Sequence, residues 1–280
     1  MIQTIAIIGV GLIGGSVGLA LRKAGFRGPI LGVDDQRYID PAVERRAIDR
    51  GVALGEACAS ADLIVLSQTI SGILETISQL DPLVRPDALV TDVGSTKKII
   101  ADRARQSLAR CAFLGGHPMA GKEVRGVSAA DANLFQGRPW ILTDDLDHPV
   151  SREFRHWITL FGAHEILLPP ETHDKLVAWG SHLPQLVSTA LAATLLDREP
   201  NATVIAGKGL LDMTRLAKSD YDDLWKGILL TNAPAIAVAL DAYIAKLQEL
   251  KENFETQFEK GNRFTQSKNY KRAEEATRKE

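Results

Sequence analysis

Cysteine is nearly absent. Cys58 and Cys111 are the only two in 280 residues, and they form no C-x-x-C pair and no ligand-like spacing. A disulfide framework and a thiolate metal site are thereby excluded as organising features, and a reducing compartment fits. Long apolar runs are lacking as well: none approaches the ~20 residues that a membrane span needs. Charge of one sign is missing too. Lys and Arg number 33 against 35 Asp and Glu, for a net charge of -2, without the basic excess of a nucleic-acid binder. There is no leader pattern, since a strand-forming run follows Met1 at once, and the expectation is a cytoplasmic protein. No set of His, Asp and Glu has metal-ligand spacing, so no metal is expected.

What is present is an alternation. Gln3 to Ile8 is a short isoleucine-rich run that ends in Gly9-Val-Gly11-Leu12-Ile13-Gly14. A helix pattern closed by Gly25 follows, then the apolar run Ile30 to Val33 and Asp34. This is strand, glycine turn, helix, strand, acid, the layout of a dinucleotide site. Gly9 permits the tight turn, Gly11 admits a pyrophosphate, Gly14 allows close helix–strand packing, and the helix N-terminus offers unpaired N–H groups at Leu12 and Ile13. A carboxylate at Asp34 accepts from a ribose 2′-hydroxyl and repels a 2′-phosphate, which favours NAD over NADP; Arg37 nearby works the other way. The competing reading is a glycine-rich turn in an unrelated α/β domain.

Helices are then expected over 41–50, 71–80, 96–109 and 151–161, and strands over 63–66, 88–93, 112–114, 139–142 and 164–168. Such an alternation predicts a Rossmann-type, mostly parallel sheet with helices on both faces, and ligands at the carboxyl ends of its strands. After Pro169-Pro170 no strand is evident. Helices are expected over 174–197, with a bend near Ser181 caused by Pro184, and over 203–216, 222–231 and 233–258. The fold class is α/β followed by an all-helical C-terminal domain, with 1–169 binding the dinucleotide and 170–280 serving substrate and dimerisation. Leu183, Leu186, Val187, Leu191 and Leu195 need a covering surface, which leads to the expectation of a homodimer through the helices. Residues from about 259, dense in mixed charge, read as a mobile tail.

Three positions stand out chemically. His117 sits in Gly115-Gly-His-Pro-Met-Ala-Gly-Lys-Glu123, read as a small-residue loop at a strand exit, where a neutral imidazole can take a proton near pH 7. Ser95 follows an earlier strand and is a candidate to orient His117 or to bond a substrate hydroxyl; alone it reads equally as a helix N-cap. Arg215, in a helix of the second half, can hold a carboxylate through two hydrogen bonds, or pair with Asp212 three residues back. Ser181, His182 and Gln185 share one helix face at the bend. His173, beside Asp174, reads as structural.

Taken together, the glycine fingerprint, Asp92-Val-Gly-Ser-Thr-Lys97, Gly115-Gly-His-Pro-Met-Ala-Gly121, Asn133-Leu-Phe135, Ser181-His-Leu-Pro184, Asp212-Met-Thr-Arg215, Trp225 and Asn232 appear in that order. The combination resembles the prephenate/arogenate dehydrogenase family of tyrosine biosynthesis, in its short two-domain form, from Ile5 to about Leu250. The resemblance implies an NAD(P)-dependent oxidative decarboxylation of a cyclohexadiene. It assigns His117 as base or hydrogen-bond acceptor for the ring hydroxyl, Ser95 as its partner and Arg215 as carboxylate anchor. It further implies Ser181, His182, Gln185 and Trp225 as substrate contacts. The cofactor contacts implied are Gly9, Gly11, Leu12, Ile13, Gly14, Asp34, Ser67, Asp92 and Gly94.

Two departures matter. Gln185 stands where many members have histidine, and a neutral amide acceptor suits the ammonium of arogenate. Ser67-Gln-Thr69 replaces a motif with proline. The alternatives are a β-hydroxyacid-type dehydrogenase using Lys175, or a non-catalytic dinucleotide sensor that keeps the glycines without His117, Ser95 and Arg215.

Overall fold

The computed structural model describes residues 1–122, 124–143 and 147–278. Contacts divide the chain into two units: residues 1–174 with 219–231, and residues 175–218 with 232–280.

The first unit is built on β1 (Ile5–Ile8), whose four side chains are all buried. It is followed by α1 (Leu12–Ala24), β2 (Ile30–Val33), α2 (Gln36–Glu44), β3 (Arg50–Gly51), α3 (Leu54–Ser60), β4 (Leu63–Leu66), α4 (Ile70–Leu80), β5 (Leu89–Asp92), α5 (Lys98–Ser107) and β6 (Ala112–Leu114). These six strands form one sheet in the order β3-β2-β1-β4-β5-β6, and every pairing is parallel, with Ile5 level with both Ile30 and Leu63. The order reverses between β1 and β4, which opens a crevice at the carboxyl ends of the central strands. Side chains alternate across the sheet. Ile5, Ile7 and Val65 enter a core on one face; Ala6, Ile8, Ile64 and Leu66 enter another on the opposite face. Burial on both faces explains why these strands read as unbroken apolar runs.

A second sheet follows: β7 (Gly116–Pro118), β8 (Pro139–Leu142), α6 (Pro149–Leu160) and β9 (His164–Leu167). Its order is β7-β8-β9, antiparallel then parallel. Phe135, Trp140 and Phe154 fill the core beneath it, with Trp140 and Phe154 meeting edge to face at 6.0 Å.

Several expectations are corrected. The helix expected over 41–50 is α2 at Gln36–Glu44, with Pro41 inside it. It ends where Arg46 takes a positive φ of 60°, and Arg50 then pairs with Leu31 as an edge strand. Proline at position 41 imitates a helix start, and β3 and α3 add to the expected elements. The 96–109 helix begins only at Lys98.

The second unit continues α7 (Pro170–Val177) through a π-helical turn, Ala178–His182, into α8 (Leu183–Arg198). Pro184 has no N–H to continue the helix ladder, and the π-helical turn precedes it at the place expected for the bend. The helix expected over 203–216 breaks into a 3-10 segment, Pro200–Ile205, and α9 (Lys208–Thr214), starting at Gly207. Of the expected 222–231 helix, only α10 (Lys226–Thr231) is α-helical, and a π-turn over Tyr221–Trp225 precedes it; the segment belongs to the first unit. Then come α11 (Ala233–Glu252), α12 (Phe254–Thr265) and α13 (Lys268–Arg278). Asn253 breaks the expected 233–258 helix and caps α12 by accepting from Thr256 N–H at 3.0 Å. The segment read as a mobile tail is helical as far as it is described. No described helix is long and apolar enough to cross a membrane. Cys58 and Cys111 are thiols, and burial pushes each up to about 11.

Candidate active site

The glycine turn has the geometry of a phosphate cradle. Gly9 has φ +93°, and a Cβ there would lie 2.7 Å from the Ser67 backbone. A Cβ on Gly14 would lie 2.1 Å from the Gly9 carbonyl, whereas one on Gly11 would meet no protein atom within 4 Å. Gly11 is therefore the one position of the three left open toward a ligand. The N–H groups of the first turn of α1, from Leu12 through Gly14, lack intrahelical acceptors by helix geometry and face an anion favourably. Ser67 braces the turn, donating from its hydroxyl to Gly9 O at 2.8 Å. Asp34, at the end of β2, accepts from Val10 N–H at 2.7 Å. These residues fit a dinucleotide: an open glycine backbone, a helix N-terminus, and a carboxylate held in place beside them.

Alongside lies a cavity of about 440 Å³ lined by Ile13, Ser67, Gln68, Gly94, Ser95 and Leu230, among others. Its far wall is the 219–231 segment, which rests on the sheet through Ile228 in the second core. Thr231 Oγ1 donates to Gly227 O at 2.7 Å, so Thr96 Oγ1, 2.9 Å away, is the donor to Thr231. That bond ties the segment to the loop carrying Ser95. Ser95 is half-buried in the cavity wall, and its hydroxyl makes no hydrogen bond to any described residue. It does not cap α5.

That cap comes from a distant residue. Asp174, near the end of the first unit's share of α7, accepts from Lys97 N–H at 2.7 Å and Lys98 N–H at 3.0 Å. Asp174 is 5% exposed. Burial raises its carboxyl, but the bonds from His173 and the two N–H groups outweigh this and hold it below the usual range.

Asp92, read as a cofactor contact, is fully buried. Its oxygens accept from Gly94 N–H at 2.8 Å and Gly116 N–H at 3.2 Å, and it pairs with the buried ammonium of Lys97. Lys97 Nζ also donates to Gly116 O at 2.7 Å. Burial pushes the Lys97 ammonium down against the pull of Asp92. This pair builds the junction of β5, α5 and β7, so the carboxylate of Asp92 is occupied inside the protein.

His117 is not on a loop. It is the middle residue of β7, paired with Ile141, and only 8% exposed. Asp92 sets β7 against the carboxyl end of β5, which brings His117 to the same end of the sheet as Ser95. Glu123, at the close of the His117 stretch, lies outside the described residues. His117 Nδ1 lies 2.8 Å from His173 Nε2, and His173 Nδ1 lies 2.7 Å from Asp174 Oδ1. His173 is fully buried. The residue read as structural is thus the hydrogen-bond neighbour of the candidate base. Fifty-six positions separate the two histidines, and no local pattern connects them; the one signal was a His-Asp pair just past Pro170.

In the second unit, His182 is 1% exposed, and its Nδ1 accepts from Asn232 Nδ2 at 3.3 Å. Gln185 is 6% exposed and donates through Nε2 to Leu216 O at 2.7 Å and to Thr189 Oγ1 at 3.2 Å. A carbonyl can only accept, so Leu216 fixes the amide with its nitrogen inward and Oε1 as the remaining acceptor. Ser181 is half-buried in the π-turn, and Arg215 is exposed just past α9. Trp225, back in the first unit, packs partly buried against the second core. Among the described residues no cluster of three or more His, Cys, Asp and Glu could hold a metal ion.

Comparison with known proteins gives this arrangement a family. Residues 17–158 match the model of the prephenate dehydrogenase nucleotide-binding domain, and residues 169–266 match that of the prephenate dehydrogenase dimerization domain. The chain is 35% identical over 254 residues to the prephenate dehydrogenase of Lactococcus lactis subsp. cremoris, covering 89% of this chain and 70% of that protein. The structure superposes on prephenate dehydrogenase from Aquifex aeolicus in complex with hydroxyphenyl propionate and NAD+. The TM-score is 0.84, with 31% identity and 98% of both chains covered. It also resembles Synechocystis arogenate dehydrogenase, with TM-score 0.78, 32% identity, and 97% and 99% of the chains covered. The chain belongs to the prephenate dehydrogenase family of nicotinamide-dependent oxidoreductases.

Proposed function

We propose that the protein catalyses oxidative decarboxylation of a cyclohexadienyl acid, arogenate or prephenate, yielding tyrosine or 4-hydroxyphenylpyruvate, with NAD as the hydride acceptor. The observation that carries the reading is a buried histidine, His117, fixed at the carboxyl end of the sheet whose glycine turn fits a dinucleotide. A nicotinamide ring bound there supplies the acceptor for hydride from ring C4. His117 takes the C4 hydroxyl proton as that carbon is oxidised. The ring carboxylate then leaves as carbon dioxide, its bonding electrons aromatise the ring, and the proton returns to the new phenol oxygen. Ser95 offers its hydroxyl to the same ring oxygen. Arg215 holds a substrate carboxylate, and Ser181 and His182 serve as further substrate contacts. The protein's contribution is orientation and proton handling, since aromatisation supplies much of the driving force.

The preference for NAD rests on Asp34, whose carboxylate stands beside the glycine turn. Arg37, the residue that favours a 2′-phosphate, is drawn to Asp35 at 3.2 Å and lies over the Tyr38 ring at 4.9 Å. The preference for arogenate rests on Gln185: its Oε1 accepts from an ammonium, which arogenate carries and prephenate does not. A homodimer through the second unit is supported by large apolar side chains left exposed there, including Leu211, Val238, Phe254 and Phe258. Reduced-nicotinamide formation with each substrate and each cofactor tests the reading. The expected order of kcat/KM is arogenate with NAD first; turnover of neither substrate contradicts it. Sedimentation analysis is expected to give a dimer.

A further inference from the structure

We propose that His173 and Asp174 are positioning residues that fix the tautomer of His117, placing its proton on Nδ1 and its lone pair on Nε2. This rests on the reading of His117 as the base, and it adds how a histidine is kept ready for that task.

The inference follows from donor and acceptor bookkeeping along three buried groups. Asp174 Oδ1 accepts from Lys97 N–H and Oδ2 from Lys98 N–H, at the N-terminus of α5. A carboxylate so held is ionised and can only accept. His173 Nδ1, 2.7 Å from Oδ1, must therefore donate. A neutral imidazole that donates from Nδ1 has its lone pair on Nε2. His173 Nε2 faces His117 Nδ1 at 2.8 Å, so His117 Nδ1 carries the hydrogen. The rings meet edge-on, with centroids 5.1 Å apart and planes at 66°, which suits an in-plane N–H reaching a ring nitrogen. Were His173 doubly protonated, it would donate to His117 Nδ1 and force the His117 proton onto Nε2, disabling the base. His173 therefore supports the base in its neutral form. When His117 takes the substrate proton on Nε2, the resulting cation is bonded through His173 toward the Asp174 anion. The same carboxylate also caps α5, so a purely structural role for the pair is the competing explanation.

Nitrogen chemical shifts of isotope-labelled histidine in the NAD-bound protein separate the two. The His117 signals are assigned by their loss in His117→Asn. The expected result is a protonated Nδ1 and an unprotonated Nε2 at neutral pH; a proton on Nε2 overturns the proposal, and no stability change enters that measurement. Two variants add kinetics. Gln at position 173 can present an acceptor oxygen near the place of His173 Nε2, so His173→Gln is expected to keep the tautomer and turn over within about tenfold of wild type. His173→Leu has no acceptor and is expected to lose about 10²-fold in kcat, with KM and NAD affinity unchanged. Wild-type kcat in folded His173→Leu contradicts the proposal. If the underlying reading fails instead, His117→Asn keeps its turnover whatever tautomer the shifts report.

Discussion

Asp174 Oδ1 accepts two hydrogen bonds of 2.7 Å, one from Lys97 N–H at the start of α5 and one from His173 Nδ1. One carboxylate therefore both starts a helix and orients the neighbour of the candidate base. Its pKa lies below the usual range despite burial. A carboxyl with a depressed folded-state pKa stabilises the protein above its unfolded value, about 3.9, and loses that contribution as pH falls through its folded value. Denaturant unfolding of wild type and Asp174→Asn across pH is expected to show a constant stability gap from neutral pH to about pH 4, narrowing below it. A gap that narrows already between pH 8 and 6 contradicts this.

Lys97 is predicted to be structural. Its ammonium is 1% exposed and compensates Asp92. Lys97→Met leaves a buried carboxylate without its cation and is expected to cost about 3–5 kcal/mol. The double variant with Asp92→Asn is expected to recover part of the loss. Thermal and denaturant unfolding of the three variants check it, and additive losses contradict it.

The glycine turn makes a paired prediction. Gly14→Ala drives a Cβ into the Gly9 carbonyl and is expected to destabilise the fold by about 1–3 kcal/mol. Gly11→Ala meets no protein atom, so its stability is expected to stay within about 1 kcal/mol of wild type. Its NAD affinity is expected to fall about tenfold or more, because the methyl occupies the pyrophosphate approach. Calorimetric titration with NAD separates the two. Unchanged affinity in Gly11→Ala places the phosphates elsewhere.

Gln185 is predicted to tune substrate choice. Gln185→His replaces a fixed amide acceptor with a ring that can be cationic. The ratio of kcat/KM for arogenate over prephenate is expected to fall about tenfold, the worth of one hydrogen bond to a charged group. An unchanged or increased ratio contradicts the assignment.

The first half of the fold is legible because its signals are local. Apolar strands, a glycine fingerprint and an acid after β2 each declare themselves within a few residues, and the six-stranded parallel sheet follows. What escapes reading depends on distance. β3 has only two residues, Arg50 and Gly51, both exposed, so no periodicity marks it. His117 reads as a loop residue because glycine and proline flank it, yet β8 captures it as a strand in a second sheet. The residues that complete the site come from elsewhere: His173 and Asp174 from α7 reach His117, and the 219–231 segment walls the cavity beside Ser95. Ser95 reads as a helix cap because it precedes a helix pattern. The actual cap, Asp174, is 77 residues from Lys97, and only tertiary packing brings it there.

The central claim is that His117 takes the proton of the ring hydroxyl as hydride leaves the same carbon. Single-turnover formation of reduced nicotinamide by His117→Asn, with NAD affinity measured in parallel, tests it most directly. The predicted result is a rate lower by about 10²–10⁴-fold with NAD binding unchanged. A rate within about tenfold of wild type would contradict it.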